Sequence, residues 1–237
     1  MGFKVNNLVD TEGIPMYLIK PLIEYVNVPF FCETGTAGGL SIKTASKYFK
    51  ECHTIEIVPN RQIIDESLEN ITWHTGHTVD VLLPIVNELT SIKNRMQIKG
   101  QPAIYHYALF FLDAHWSEPY PNDTRFKECY VLEELEIISQ YQDSAILLID
   151  DSRLFLGQPP APNNPKDWPS IQDIFVLLKN KFPHNYSTIV DDYILSLPER
   201  LKTPIDAEWR KNYITRYPSA EDKLKAESKN VFNAIKK

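Results

Sequence analysis

Hydrophobic positions along the 237-residue chain fall into short, nearly unbroken apolar runs, separated by stretches in which apolar residues recur at helical spacing. The runs Pro29–Glu33, His53–Val58, Ile71–His74, Tyr107–Leu112 and Ala145–Ile149 predict strands. Tyr107–Leu112 and Ala145–Ile149 are almost wholly apolar, as strands covered on both faces should be. Helical spacing predicts helices over Pro15–Tyr25, Leu40–Phe49, Arg61–Glu69, Thr78–Leu89, Tyr130–Tyr141 and Ile171–Phe182, with Ser170 as the N-cap of the last. Two further runs, Tyr186–Val190 and Tyr193–Leu197, predict an antiparallel hairpin turning at Asp191 and Asp192. The polar stretch Ile92–Tyr105 reads as an insertion. The Pro-rich stretch Gly157–Pro169 is long for a connector and reads as a functional lid.

Strands alternating with helices predict an α/β fold: a Rossmann-like, doubly wound, mostly parallel seven-stranded sheet closed by an antiparallel hairpin. Hydrophobic residues make up 43% of the chain, enough to bury a sizeable core in one such domain. The expected organisation is a helical lead-in over residues 1–27, a main domain over 28–200 and a helical extension over 201–237. In the extension, a capping-box pattern at Ser219 and Asp222 precedes a stripe of Leu224, Val231, Phe232 and Ile235. That stripe reads as a face packed on the domain, with a homo-oligomer contact as the alternative.

The net charge of −6 gives nucleic acid and anionic membranes no global attraction. No run approaches the ~20 apolar residues of a membrane span, and Met1–Asp10 lacks the apolar core of a signal peptide. Cys32, Cys52 and Cys129 have no metal-type spacing and are expected to be reduced thiols of a cytoplasmic protein.

The first strand runs into Glu33-Thr34-Gly35-Thr36-Ala37-Gly38-Gly39. Glycines let the backbone turn sharply and approach a ligand, and the next helix opens with unpaired N–H groups. The dinucleotide fingerprint is broken by Ala37, and no phosphate-binding Gly-Lys-Ser/Thr follows. Glu56, at the end of the second predicted strand, is placed to accept hydrogen bonds from a ribose diol. Together these features point to an adenosine-containing cofactor. Glu33 favours S-adenosylmethionine (SAM), whose amino group and sulfonium suit a carboxylate that would repel a pyrophosphate.

Asp113 and His115 follow the fourth main strand, and Asp150 and Asp151 follow the fifth. In a parallel sheet these ends share one rim, beside the cofactor crevice. Clustered carboxylates repel one another unless protonated or bridged by a cation, and oxygen-rich sites suit Mg²⁺, Mn²⁺ or Ca²⁺. Trp116, Tyr120 and Trp168 lie in the predicted acceptor loops, where rings either stack on a sugar face or pack locally.

The ordered set Glu33-Thr-Gly-Thr-x-x-Gly39, Thr54-Ile55-Glu56, Phe111-Leu112-Asp113-Ala114-His115 and Leu148-Ile149-Asp150-Asp151 resembles the successive motifs of class-I SAM methyltransferases over about Val28–Leu197. It is similar to methyltransferase-like proteins of glycan-biosynthesis clusters, and its acidic residues to metal-dependent sugar O-methyltransferases. The resemblance implies SAM at Glu33, Gly35, Thr36, Gly38, Gly39, Glu56 and Asp113, and Mg²⁺ or Mn²⁺ at Asp113, Asp150 and Asp151. It makes Asp113 or His115 the group that takes the proton of a small-molecule or glycan hydroxyl. Where relatives carry Gly-Asp-Ser after the third strand, this chain has Gly76-His77-Thr78, so His77 stands in the adenine-contacting position. Two other classes remain open: a metal-dependent hydrolase built on the same acids, against which the absence of a nucleophile elbow counts, and a catalytically silent SAM-fold binding protein.

Overall fold

The computed structural model describes residues 13–58, 67–98, 107–115, 127–207 and 210. Helix α1 (Met16–Tyr25) leads into β1 (Phe30–Thr34), α2 (Leu40–Ala45), β2 (Glu51–Glu56), β3 (Ile71–Thr75), α3 (Thr78–Ile98) and β4 (Ala108–Leu112). Then come α4 (Val131–Ile138), β5 (Ala145–Ile149), α5 (Ser152–Phe155), α6 (Ile171–Lys181), β6 (Asn185–Val190) and β7 (Tyr193–Pro198). One seven-stranded sheet has the order β3-β2-β1-β4-β5-β7-β6. The first five strands in that order pair in parallel; β7 runs antiparallel to both β5 and β6. This is the doubly wound sheet with a closing hairpin that the sequence pattern predicts.

The period-2 geometry of a strand explains the two cores. In β4, Ala108, Phe110 and Leu112 face the core beneath α3, α4 and α6, while Leu109 and Phe111 face the core shared with α1 and α2. In β5, Ala145, Leu147 and Ile149 take the first face and Ile146 and Leu148 the second. Every residue of β1, β4 and β5 is buried. Helix α1 contributes Met16, Leu18, Ile19 and Leu22 to the second core and so packs on that face of the sheet.

Several boundaries differ from expectation for local reasons. Strand β2 ends at Glu56 although Ile57 and Val58 are apolar, because the Glu56 carboxylate accepts the Val58 N–H at 3.0 Å and turns the chain out of the sheet. Helix α2 stops at Ala45, where the Ser46 hydroxyl donates to the Lys43 carbonyl. Of the polar stretch read as an insertion, residues 92–98 instead continue α3, and residues 99–105 lie outside the described residues. The Lys93 ammonium on that extension lies 4.9 Å from the centre of the buried Tyr141 ring, so this part of the helix still packs against the domain. The helix predicted over Tyr130–Tyr141 is α4 followed by a 3-10 turn, Ser139–Ser144. Ser170 caps α6 in a reciprocal capping box with Asp173, as its position predicts. Of the expected helix Arg61–Glu69, residues 61–66 lie outside the described residues and Ser67–Asn70 form turns. The C-terminal stripe also lies outside them.

Candidate active site

Parallel pairing sets the C-terminal ends of β1, β2, β4 and β5 on one rim: Thr34 is in register with Ile55 and with Leu112, and Leu112 with Ile149. At the β1–β2 end, Gly35 has φ +83°, and a Cβ there would lie 2.3 Å from the Asp113 carbonyl oxygen. Glycine is required at that position by the close approach of the loop to the end of β4. The Gly35 N–H donates to the Ile55 carbonyl at 2.9 Å, locking the loop to β2. Beside Gly38 the space is open. Gly39 adopts φ +71° as the N-cap of α2.

Glu56 is engaged with this loop. One carboxylate oxygen accepts the N–H groups of Thr36 at 3.1 Å and Ala37 at 3.0 Å. Glu33 is fully buried and accepts from the Thr54 hydroxyl at 2.7 Å. The Thr36 and Thr54 hydroxyls are 2.5 Å apart, and because Thr54's single proton goes to Glu33, Thr36 is the donor to Thr54. The other oxygen of Glu33 is buried with no hydrogen-bond partner among the described residues. Burial pushes the Glu33 carboxyl up to about 8; the Thr54 hydrogen bond opposes this, and Asp113 and Glu56 add to it.

His77 follows β3 and is buried, its ring edge-on to Tyr130 with centroids 4.4 Å apart. Its Nδ1 accepts the Val79 N–H at 3.3 Å. Next to it, the Thr78 hydroxyl donates to Glu134 at 2.7 Å. Burial raises the Glu134 carboxyl to about 7, against the hydrogen bond from Thr78.

At the β4–β5 end, two consecutive aspartates converge, although neighbours in a strand point to opposite faces. The reason is that β5 ends at Ile149 and Asp151 adopts the left-handed conformation, φ +58° and ψ +36°, which aspartate tolerates better than most residues. The Asp151 N–H donates to the Asp150 carboxylate at 2.7 Å. The expected set Asp113, Asp150 and Asp151 is divided. Asp113 and Asp151 gather with His115, and Asp150 and Asp151 gather with Asp192, the ligand-type atoms of each group lying within 4.8 Å of one another. Asp151 belongs to both groups.

Asp192 comes from the β6–β7 hairpin turn. Its carbonyl accepts the Ser152 N–H at 2.8 Å and its carboxylate the Arg153 N–H at 3.0 Å, so the hairpin caps α5. The Arg153 guanidinium bridges Asp151, at 2.7 Å, and Asp192. Burial raises the Asp113 carboxyl to about 8; Asp150, Asp151 and Glu134 raise it further and Arg153 opposes them. These donors suit a hard or borderline divalent cation, which would relieve their mutual repulsion.

His115 packs between Phe155, at 5.4 Å between centroids, and Trp168, at 5.3 Å. Both ring nitrogens are buried without a hydrogen-bond partner among the described residues. Burial lowers the imidazole to about 4, with Asp151 opposing, so at neutral pH the ring is uncharged. Of the two expectations for Trp168, the structure shows local packing. The side chain is a buried wall behind His115, and its indole N–H donates to the buried Glu128 at 2.7 Å. Glu128 also accepts the Asn164 N–H at 2.9 Å, which ties the Pro-rich segment to the start of α4. That segment lines a cleft of about 290 Å³ together with Phe155, Trp168 and Ile171. Trp116 and Tyr120 lie outside the described residues.

Sequence reasoning missed Thr54, Glu128, Glu134 and Asp192. Thr54 lay inside a quoted motif, and its alternation with Glu56 was the available signal. The other three reach their places only through tertiary packing.

No family model matches the sequence, and comparison with curated proteins finds no match. Among solved structures, the chain is similar to a candidate caffeoyl-CoA O-methyltransferase from Staphylococcus aureus. The identity is 17% and the TM-score 0.50, over 76% of this chain and 81% of that one. A weaker likeness, with TM-score 0.35 and 13% identity, is to the MycE methyltransferase of the mycinamycin pathway, solved with Mg and SAH. It covers 77% of this chain and 46% of MycE. The chain therefore has the Rossmann-like fold of class-I methyltransferases.

Proposed function

We propose that this protein is a SAM-dependent O-methyltransferase that methylates a hydroxyl of a small acceptor, a sugar or glycoconjugate, with the help of a divalent cation. The observation that carries the reading is the placement of the Glu33–Glu56 loop and the Asp113–His115–Asp151 group on neighbouring strand ends of one rim. SAM lies over Gly35–Gly39. The unpartnered oxygen of Glu33 suits its cationic amino acid end, and a pyrophosphate there would meet a buried carboxylate. Glu56 holds the ribose with the lone pairs its loop contacts leave over, a carboxylate offering about four such sites. His77, which follows β3 where the adenine would lie, stands in the adenine-contacting position.

The reaction joins the acceptor oxygen to the methyl carbon and breaks that carbon's bond to sulfur. S-adenosylhomocysteine (SAH) leaves, and the hydroxyl proton passes to Asp113 or His115. Asp151, shared by both acidic groups, would hold a divalent cation together with Asp113, with Asp150 beside it, and the cation would supply Lewis acidity that makes the acceptor hydroxyl easier to deprotonate. The acceptor enters by the cleft beneath the Pro-rich segment, whose walls Phe155 and Trp168 also pack against His115. The buried, unpaired cysteines accord with a reducing, cytoplasmic setting.

The test is methyl transfer from SAM to a panel of hydroxylated sugars, before and after EDTA treatment. Transfer that vanishes in EDTA and returns with Mg²⁺ or Mn²⁺ is expected. Full transfer after EDTA would remove the metal from the account, and absence of transfer to any hydroxylated acceptor would remove the O-methyl chemistry.

A further inference from the structure

We infer that His115 is itself a ligand of the cation, so that the centre is a mixed nitrogen–oxygen site that prefers a transition-metal ion, Mn²⁺ or Co²⁺, to Mg²⁺. This rests on the metal-assisted reading above. One His115 ring nitrogen lies within 4.8 Å of a carboxylate oxygen of Asp113 and of Asp151, with those two oxygens equally close to each other. Metal–donor bonds of about 2.0–2.2 Å place donors up to roughly 4.4 Å apart, so small side-chain adjustments close the group on an ion.

The second observation is independent of the acids. Both His115 nitrogens are buried with no hydrogen-bond partner among the described residues. Buried polar groups are expected to be satisfied, and an imidazole in this position lacks the partner that a metal would supply. The ring is also held in place. Phe155 and Trp168 pack against it, and Trp168 is tied to Glu128. Arg153 takes one Asp151 oxygen, but a carboxylate has about four lone-pair sites, so guanidinium and cation can share it.

Two consequences follow from donor chemistry. Imidazole binds transition ions better than Mg²⁺, which takes oxygen donors and gives up its water reluctantly. A neutral imidazole also carries only one lone pair, so His115 as a ligand is not the base, and the acceptor proton falls to a carboxylate of the rim.

Pulsed electron paramagnetic resonance of the wild-type protein loaded with Mn²⁺ tests the assignment directly. Coupling to one imidazole nitrogen is expected; Mn²⁺ bound without it, or no Mn²⁺ bound, would overturn the inference. Competition of Mn²⁺ against Mg²⁺ gives a second readout. In His115→Asp, which makes the set all-oxygen, the preference for Mn²⁺ should fall by about tenfold or more, at least the scale on which outer partners of a metal site act. An unchanged preference in the folded variant would also overturn it. SAH titration of the metal-free wild type separates the two ideas: SAH binding without nitrogen coupling removes this inference alone, whereas nitrogen coupling without SAH binding removes the methyltransferase reading and leaves the ligand assignment standing.

Discussion

At the β1–β2 end of the rim, the protein itself orders the acids: Glu56 accepts three backbone N–H groups, and Glu33 accepts a hydroxyl that Thr36 supports, with its second oxygen buried and without a partner among the described residues. At the β4–β5 end, Asp113, Asp150, Asp151 and Asp192 crowd together with Arg153 set against them, and the His115 nitrogens beside them have no partner among the described residues. The first end is a pre-formed cradle whose hydrogen bonds order a glycine loop. The second is electrostatically incomplete, and repulsion among its carboxylates is relieved by a proton or a cation. A site that orders its loop in advance suits a cofactor common to every turnover, and a site that waits for charge suits the chemical step.

The largest effect should come from Asp151, which belongs to both ligand groups. Asp151→Asn should weaken Mn²⁺ or Mg²⁺ by at least about 10–100-fold, the range in which even outer partners of a metal act. Asp150→Asn, touching one group, should cost less. Both variants should keep SAH affinity near that of the wild type. Metal titration followed by SAH titration on each variant checks the contrast; equal losses of cofactor and metal would show that the two ends are not separate.

A smaller effect is expected in stability against pH. Asp113 and Glu33 are both raised to about 8 in the folded protein, from ordinary values of 3.8 and 4.5. Groups raised on folding bind protons more tightly when folded, so their contribution is full below about pH 4 and is lost as pH rises through about 8. The metal-free protein should therefore lose their share of its stability between those limits. Saturating Mn²⁺ should flatten the Asp113 part of that decline, because a bound cation keeps the carboxylate ionised. Thermal melts across pH with and without Mn²⁺ read this out, and identical slopes would count against Asp113 as a ligand.

The fold was legible because its signals are local. Five apolar strand runs, an N-cap at Ser170 and the two-Asp hairpin turn each carry their own chemistry, and all stand within a few residues of where the pattern puts them. Shifts at strand ends came from side chains that rewrite the backbone, as Glu56 does by taking the Val58 N–H. The site was legible by rim but not by partnership. Asp113, His115, Asp150 and Asp151 could be assigned to neighbouring strand ends, yet which of them meet depends on the left-handed turn at Asp151 and on Asp192, brought in by a hairpin some forty residues on. The polar, Pro-rich stretch around Trp168 left a sugar platform and local packing equally open; Glu128, distant in sequence, is what draws the ring into the core.

The central claim is that the β1–β2 cradle binds SAM on its own, in the absence of the metal end. Calorimetric titration of SAH into metal-free wild-type protein and into Glu56→Ala tests it most directly. The account predicts saturable binding to the wild type, little changed by added Mn²⁺. It predicts affinity lower by about 10- to 150-fold in Glu56→Ala, the loss of roughly 1.5–3 kcal/mol expected for a charge-assisted hydrogen bond. No binding to the wild type, or undiminished binding to a folded Glu56→Ala protein, would contradict it.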